Sequence, residues 1–496
     1  MKVTFIEPAP SGFHVYSFIK QPRLGLPLLG TILRELGHEV NIFVENLGEI
    51  DWDTVVSSDL VGVSSITSTA MKAYRYAEKA REAGVTVVMG GPHVTFLADE
   101  ALEFCDYVVR GEGEETLLEL IELLKGNRSA DGILGLSYHG DGRTVVHNPS
   151  RPLRRSLDDL PIPDIKMIAY HEKINPTPIL TSRGCAFDCE FCSVIMMFGR
   201  KVRVDPADKI IATIRETEAE QIFFYDDNFI LSKARTKRLL ARMIREGIQV
   251  PFSAQVRIDS ICKHGRVDHE LLHLLREAGC FLVYLGLESV NPHTLAAFNK
   301  QQSVADIAGG LAALRAYGIK SHGMFVFGSD ADTVETLRET TDFAISHDIT
   351  SVQFMLLTPL PGTRQTAQLE AEGRVFTRNW TLYDGHHVVF WPKNMSPWDL
   401  QQEAMKSYQR FYGLGRVRKS HKYGFWGLLI SRAWERVPEN MAYMRELRSF
   451  TATQLPPASL RGEATVGHTA GNGGKPESHE EPTPVGQGFS GSGPNT

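Results

Sequence analysis

The chain has 496 residues, and its hydrophobic fraction of 42% and charged fraction of 23% are typical of a folded protein with two or three domains. Its formal net charge of −6 argues against a nucleic-acid partner that is recognised mainly through phosphates. No apolar run approaches the roughly 20 residues of a membrane span, and the opening MKVTFIEPAP lacks the apolar core of a signal peptide, so a cytoplasmic protein is expected.

Strands and helices alternate over residues 1–140, which we predict to be the first domain. Helices are predicted at Leu26–Leu36, Ala70–Ala83 and Glu115–Leu124, and strands at Val3–Ile6, Glu39–Val44, Leu60–Ser64, Thr86–Met89 and Tyr107–Arg110. Strands separated by helices predict a doubly wound, Rossmann-like parallel sheet. Such sheets bind ligands beyond the carboxyl ends of their strands, and those ends carry Ser64, Ser65, Gly90, Gly91 and Gly111.

A connector over residues 141–170, with a hairpin near Gly140–Gly142, leads to a second α/β series at residues 171–363. Its strands are predicted at Thr177–Thr181, Gln221–Tyr225, Phe252–Val256, Leu282–Leu287, Lys320–Phe327 and Ser351–Leu357. Six such units are too few for an eight-fold barrel and favour a partial (β/α)6 barrel, similar to a TIM barrel. In a parallel barrel, the chemistry is expected at the carboxyl ends of the strands.

The last part of the chain changes in character. Residues 364–450 predict a helical cap rich in aromatic residues, and residues 451–496 have the polar, Gly- and Pro-rich composition of a disordered tail. Within the cap, the basic segment 416–450 is compatible with peripheral contact with an anionic membrane. The more common alternative is a helix that docks on its own domain and exposes a basic face to solvent.

Three of the six cysteines lie close together in the stretch TSRGCAFDCEFCS, directly after the first strand of the second series. Cys185, Cys189 and Cys192 have CxxxCxxC spacing, which can hold three irons of a 4Fe-4S cluster and leave the fourth iron without a protein ligand. A structural zinc site would need a fourth ligand, usually from a second cysteine pair, and the sequence has no such pair. The three cysteines are therefore predicted to be metal ligands.

This stretch resembles the signature of the radical S-adenosylmethionine (SAM) superfamily. The resemblance implies that the open iron binds the amino and carboxylate groups of SAM, and that reduction of the cluster cleaves SAM to a 5′-deoxyadenosyl radical. It also implies an electron donor such as flavodoxin or ferredoxin.

Later strand ends match the superfamily where SAM contacts are expected. The resemblance places Asp226 and Asp227 near the methionyl ammonium, although both could instead cap a helix. Arg257 would meet the methionyl carboxylate, or could simply pair with Asp259. The remaining implied contacts, with the ribose and adenine, are Glu288, Ser289, Gly323 and Phe325.

The first domain resembles the cobalamin-binding domain of the branch that includes anaerobic magnesium-protoporphyrin ester cyclase and hopanoid and natural-product methylases. The implied cobalamin contacts are the strand-end residues Ser64, Ser65, Gly90, Gly91 and Gly111. The DxHxxG motif of many cobalamin proteins is absent, as it is from many members of this branch. His93, beside the glycine pair, is more simply an ordinary loop histidine than an axial ligand.

The favoured function is therefore cobalamin-dependent methylation of an unactivated carbon on a lipid or another small secondary metabolite. Radical ring formation or oxidation, as in the cyclase, is the enzymatic alternative. A non-catalytic cobalamin-binding or redox-sensing protein is the alternative from another class, and the apparent SAM pocket argues against it. The sequence assigns no catalytic residue.

Overall fold

The computed structural model describes residues 1–12, 20–413, 427–429 and 432–461. The first unit contains strands β1 (Lys2–Glu7), β2 (Glu39–Val44), β3 (Leu60–Ser64), β4 (Thr86–Gly90), β5 (Tyr107–Val109), β6 (Leu136–His139) and β7 (Val145–His147). They form one sheet in the order β2-β1-β3-β4-β5-β6-β7, in which the first five strands are parallel. The order reverses between β1 and β3, which is where doubly wound sheets bind ligands.

Helices cover both faces of this sheet. They are α1 (Gly25–Glu35), α2 (Trp52–Val56), α3 (Ala70–Glu82), α4 (Pro92–Phe96), α5 (Ala98–Leu102) and α6 (Glu114–Leu124). Val3 and Phe5 of β1 share a core cluster with α1 and α6, whereas Ile6 shares another with α3. A central strand that is apolar on both faces therefore accounts for the two helical layers.

The predicted parallel sheet is confirmed for five strands, but the complete sheet is mixed. Strands β6 and β7 form an antiparallel hairpin that pairs with β5 and extends the sheet. The predicted domain boundary at residue 140 falls inside this hairpin, so part of the expected connector belongs to the first sheet.

The second unit is the predicted partial barrel. Its six parallel strands are β8 (Thr177–Ile179), β11 (Ile222–Phe224), β12 (Phe252–Val256), β15 (Cys280–Glu288), β16 (Lys320–Phe327) and β17 (Ser351–Leu356), in that spatial order. Two short antiparallel pairs complete the strands: β9 (Ser182–Arg183) with β10 (Arg203–Val204), and β13 (Cys262–Lys263) with β14 (Arg266–Val267).

The barrel helices are α7 (Val194–Phe198), α8 (Ala207–Glu216), α9 (Lys233–Arg245), α10 (His269–Glu277), α11 (Pro292–Ala297), α12 (Val304–Ala316) and α13 (Val334–Ser346). The cap follows with α14 (Arg364–Ala371), α15 (Pro397–Phe411), α16 (Pro438–Thr453) and α17 (Ala458–Arg461). The first residues of the predicted disordered tail are thus helical. Most of the tail, and much of the basic segment 416–450, lies outside the described residues. No described helix is both long and apolar enough to cross a membrane.

The cap protects the open edge of the barrel. At the edge strand β17, the Tyr412 hydroxyl accepts a hydrogen bond from Val352 N and donates one to Val352 O, both at 2.8 Å. The Tyr408 hydroxyl accepts a hydrogen bond from Phe354 N at 3.0 Å. Helix α15 therefore satisfies backbone groups that a neighbouring strand would satisfy in a closed barrel.

The cap also joins the first unit. The Trp380 indole and the Tyr74 hydroxyl donate to the same oxygen of Glu100, at 2.7 and 2.8 Å. His93 Nε2 lies 3.0 Å from the Tyr74 hydroxyl, and its ring is buried in this network. His93 was expected to be an ordinary loop histidine, but it is a buried residue of helix α4 that takes part in this network.

The sealed edge gives a stability prediction. Replacing Tyr412 by Phe leaves the buried Val352 N–H without a partner, which costs about 1–3 kcal/mol. We expect the free energy of unfolding to fall by about that amount in urea denaturation followed by circular dichroism. Tyr170→Phe, whose ring is 41% exposed, is the control with no expected change. An unchanged unfolding midpoint for Tyr412→Phe would contradict the assignment.

Candidate functional site

The cysteine loop begins at a glycine that no other residue can replace without strain. Gly184 has a φ of +88°, and a Cβ there would lie 2.8 Å from the carbonyl oxygen of Lys201 and 3.0 Å from that of Gly199. The next residue, Cys185, donates its N–H to Gly199 O at 3.3 Å. The loop is thus pressed against the segment that follows α7.

The three predicted ligands lie in one enclosed place. Cys189 is buried, Cys185 and Cys192 are partly buried, and the three thiols act electrostatically on one another. Burial is the main cause that raises the pKa of Cys192 to about 12, and the charges of Cys189 and Asp227 add to it. The hydrogen bond from Val194 N acts in the opposite direction and lowers the pKa. Burial also raises the pKa of Cys185. Such thiols ionise when a metal supplies the missing positive charge.

The donor set fits a cluster better than a single ion. Among the described residues, no group of three or more His, Cys, Asp or Glu side chains is arranged around one metal ion. Three cysteines without a fourth ligand suit a 4Fe-4S cluster with one open iron.

Arg257 supports the cysteine loop. It pairs with Asp259 through two hydrogen bonds of 3.0 Å and donates to Lys300 O at 2.6 Å. Its guanidinium carbon lies 3.7 Å from the ring centroid of Phe187, which belongs to the cysteine loop. Of the two predicted roles, the structure contains the pairing with Asp259.

The adjacent residues Asp226 and Asp227 have different environments. Asp226 is 0% exposed, and its carboxylate accepts hydrogen bonds from Thr181 N at 3.2 Å, Thr181 Oγ1 at 3.0 Å and the Ser182 hydroxyl. It therefore holds the strand end that leads into the cysteine loop. Asp227 is accessible from a cavity instead. Burial by surrounding protein, followed by the charge of Asp226, raises the pKa of Asp227 to about 6.

Glu288 lies at the end of β15 in a strained backbone conformation, with a φ of +61°. Its carboxylate accepts a hydrogen bond of 2.5 Å from Lys300 Nζ, so the buried charge is neutralised. A Cβ at Gly286 would approach this carboxylate to 2.8 Å, which explains the small residue there. Ser289 is buried and accepts a hydrogen bond from Asn291 N at 3.0 Å.

Gly323 and Phe325 face the outer helical layer. The Phe325 ring stacks on Phe354 at 5.5 Å, and a Cβ at Gly323 would lie 3.2 Å from Ile349. The Phe325 side chain therefore points away from the barrel interior, as a Cβ at Gly323 would, and a ligand inside could meet only the backbone of these two residues.

The interior positions of these strands were missed by sequence reasoning. Tyr284 and His322 lie side by side in register, with ring centroids 5.0 Å apart. His322 Nδ1 lies 2.8 Å from Ser351 Oγ, and burial lowers the pKa of His322 to about 4. The available signal was the polar Gln353 between the apolar residues Val352 and Phe354 on the neighbouring strand.

A cavity of about 450 Å³ lies between the two units. Four of the five predicted cobalamin contacts line its first wall: Ser64, Gly90, Gly91 and Gly111. The cavity is also lined by Asp227 and by three residues that follow Cys192, namely Ser193, Val194 and Met197. Ser65 is buried behind the wall, and its hydroxyl has no hydrogen-bond partner in the described part of the chain. The cavity therefore reaches both predicted cofactor sites.

Glycines leave the backbone bare at some points of the cavity wall. A Cβ at Gly91, where φ is +102°, would lie 2.5 Å from Ser65 O. At Gly111, where φ is +76°, a Cβ would meet nothing within 4 Å. A flat, bulky ligand such as a corrin ring can approach the backbone closely at these glycines.

A buried ionic joint that sequence reasoning missed connects this wall to the cysteine loop. Glu112, 8% exposed, accepts hydrogen bonds from Arg183 at 3.0 Å, Arg203 at 2.7 Å and Arg154 N at 3.0 Å. Burial alone would raise the pKa of Glu112. The hydrogen bond from Arg154 N and the charges of Arg183 and Arg203 outweigh burial and hold this pKa below its usual value. Arg183 lies two residues before Cys185, so the joint positions the loop against the first unit.

Two known protein families match this chain. The radical SAM superfamily profile matches residues 179–344, and the B12-binding domain profile matches residues 20–121.

Relatives match most of the chain. An uncharacterized methyltransferase of Pyrococcus horikoshii is 32% identical over 83% of this chain and 92% of its own length. The bacteriochlorophyllide d C-12(1)-methyltransferase of Chlorobaculum tepidum is 27% identical, over 77% of this chain and 80% of the relative. The anaerobic magnesium-protoporphyrin IX monomethyl ester cyclase of Rubrivivax gelatinosus is 26% identical, over 83% and 77%.

Two solved structures have the same fold. The radical SAM methyltransferase TsrM of Kitasatospora setae, with cobalamin and a [4Fe-4S] cluster bound, has a TM-score of 0.62 at 21% identity and covers 76% of each chain. The cobalamin-dependent radical SAM enzyme OxsB, with aqua-cobalamin bound, has a TM-score of 0.68 at 17% identity, over 91% of this chain and 75% of its own. With the family profiles and the 32% identical relative, they lead to one conclusion: the chain belongs to the cobalamin-binding branch of the radical SAM enzymes.

Proposed function

We propose that the protein methylates an unactivated carbon of a large hydrophobic substrate, either a tetrapyrrole or a lipid. The observation that carries this proposal is the single cavity that reaches the glycine wall on one side and Asp227 and the cysteine loop on the other. When bound, the cluster and SAM supply a radical that removes hydrogen from the substrate, and cobalamin supplies the methyl group. The chain itself must place these groups together and keep water away from them.

Each group of residues has a distinct part in this proposal. Cys185, Cys189 and Cys192 hold the cluster. Asp227 accepts hydrogen bonds from the methionyl ammonium, since its carboxylate is the one of the pair that is accessible from the cavity. Glu288, beside Ser289, accepts hydrogen bonds from ribose hydroxyls while Lys300 balances its charge.

The remaining predicted residues act less directly. Arg257 and Asp226 position the cysteine loop through Phe187 and Thr181. Gly323 and Phe325 shape the adenine site through their backbone. Ser64, Gly90, Gly91 and Gly111 form the corrin wall, and Ser65 supports it from behind.

The substrate class is proposed from the cavity and the relatives together. The cavity wall is largely apolar, with residues such as Leu24, Val88, Leu160 and Phe198. Relatives of this chain are named for bacteriochlorophyllide and magnesium-protoporphyrin, which are large ring systems. The cyclase relative also makes ring formation the second candidate reaction.

We also propose a cytoplasmic location and a small electron-transfer protein, such as flavodoxin or ferredoxin, as the electron donor. A cluster with an open iron needs a reducing compartment to survive, and its reduction needs a low-potential partner.

Loss of one cluster ligand tests the cofactor assignment. Cys189→Ala should abolish both the brown absorbance of the anaerobically reconstituted protein and the formation of 5′-deoxyadenosine. Cys262→Ala, which removes a buried thiol outside the loop, should retain both. Full absorbance or full product formation by Cys189→Ala would contradict the assignment.

The two aspartates should respond differently to the same change. Asp227→Asn removes a charge facing the cavity, so SAM affinity should fall about tenfold, the loss of one charge-assisted hydrogen bond, while cluster content stays the same. Asp226→Asn disturbs the contacts with Thr181 and Ser182, so cluster content itself should fall. Equilibrium dialysis with SAM and iron analysis measure both. Equal SAM affinity in Asp227→Asn and the wild type would exclude the proposed contact.

Isotope labelling separates the two candidate reactions. With SAM labelled in its methyl group, tetrapyrrole or lipid extracts should yield a product that carries the label, detected by mass spectrometry. An unlabelled product that has lost hydrogen would instead identify a cyclase or oxidase.

A further inference from the structure

Glu114 is an acidic residue on the cavity wall that the proposed function does not yet use. It is the first residue of α6, directly beyond the carboxyl end of β5, and it lines the cavity while being only 6% exposed. One carboxylate oxygen lies 2.7 Å from Arg183 Nη1. The other has no hydrogen-bond partner in the described part of the chain.

An unpartnered, buried carboxylate oxygen is unusual, because its desolvation is not compensated. Glu112, two residues earlier, shows the contrast: both of its oxygens accept hydrogen bonds from arginine or backbone donors. The two glutamates share Arg183, yet only Glu114 keeps acceptor capacity at the cavity wall. A ligand that presents an N–H group there would satisfy it.

The charges around the cavity favour such a donor over an anion. Seven Asp, Glu, Lys and Arg residues of the described chain line the cavity, of which four are acidic and three basic: Glu112, Glu114, Asp205 and Asp227 against Arg23, Arg183 and Lys209. The bases already have acidic partners, Glu7 for Arg23 and Asp205 for Lys209. Each base in the described cavity lining thus has an acidic partner, so a carboxylate on the ligand would be disfavoured, whereas a neutral amide would meet an acceptor at Glu114.

Cobalamin offers this chemistry, because its flat ring carries primary amide side chains around the rim. We propose that Glu114 accepts a hydrogen bond from one of these amides, so that the site selects amidated corrinoids over those with a carboxylate at that position. This inference rests on cobalamin binding in the cavity. Glu114 is then a specificity-determining residue of the corrinoid site.

The test compares ligands that differ in one group. The full-length, cluster-loaded protein is titrated with hydroxocobalamin and with its monocarboxylate derivatives, in each of which one rim amide is hydrolysed, and absorbance changes give each dissociation constant. The wild type should bind one of the derivatives at least about tenfold more weakly than cobalamin, the cost of replacing one hydrogen bond by charge repulsion. Glu114→Gln, which can donate to a carboxylate, should lose this discrimination.

One variant excludes indirect effects. Glu115→Gln changes the neighbouring residue, which pairs with Arg151 and Arg154 outside the cavity, and should discriminate as the wild type does. Circular dichroism and cluster absorbance report whether each variant is folded.

The outcomes are distinguishable. Equal wild-type affinity for cobalamin and every monocarboxylate, or unchanged discrimination by Glu114→Gln, would overturn the role of Glu114 alone. Failure of the wild type to bind any corrinoid would overturn both this inference and the proposed function.

Discussion

Enclosure of three thiol groups in one loop is the constraint on which the site depends. Burial opposes ionisation of Cys185 and Cys192, so their thiolates form only where a metal supplies the balancing positive charge. The protein in turn fixes the loop from several sides. Gly184 permits its close approach to the residues after α7, Arg257 packs on Phe187, and Asp226 anchors the strand end before it.

The cavity between the two units is lined by residues of both, so their predicted binding sites share one enclosed space. The carboxyl ends of the first sheet and those of the barrel face each other, as expected for two parallel α/β units that both bind ligands there. Glycines on one wall admit a flat ring, while Asp227 on the other carries charge. Reactive groups held in one enclosed space have little opportunity to react with water.

Much of the fold and the cysteine site could be predicted because both depend on local pattern. Parallel strands follow from apolar runs between helices, and the grouping of Cys185, Cys189 and Cys192 in one loop follows from their spacing alone. Other features depend on contacts that sequence does not reveal. The sequence does not indicate which of the adjacent residues Asp226 and Asp227 faces the cavity. The apolar run around Phe325 lacks the alternation that would assign its faces. Glu112 and Arg203 are 91 residues apart in the chain, so no local sequence pattern indicates that they form an ion pair.

The Glu112 joint also limits how this enzyme could be taken apart. Arg203 lies in the second unit and is almost completely buried, and its charge is balanced by a carboxylate from the first. A barrel expressed alone would lose this carboxylate beside its cysteine loop, and Arg183 and Arg203 would lack the acidic partner that the intact chain gives them. Replacing one half of the protein by that of a relative would therefore succeed only if the relative supplies equivalents of Glu112, Arg183 and Arg203.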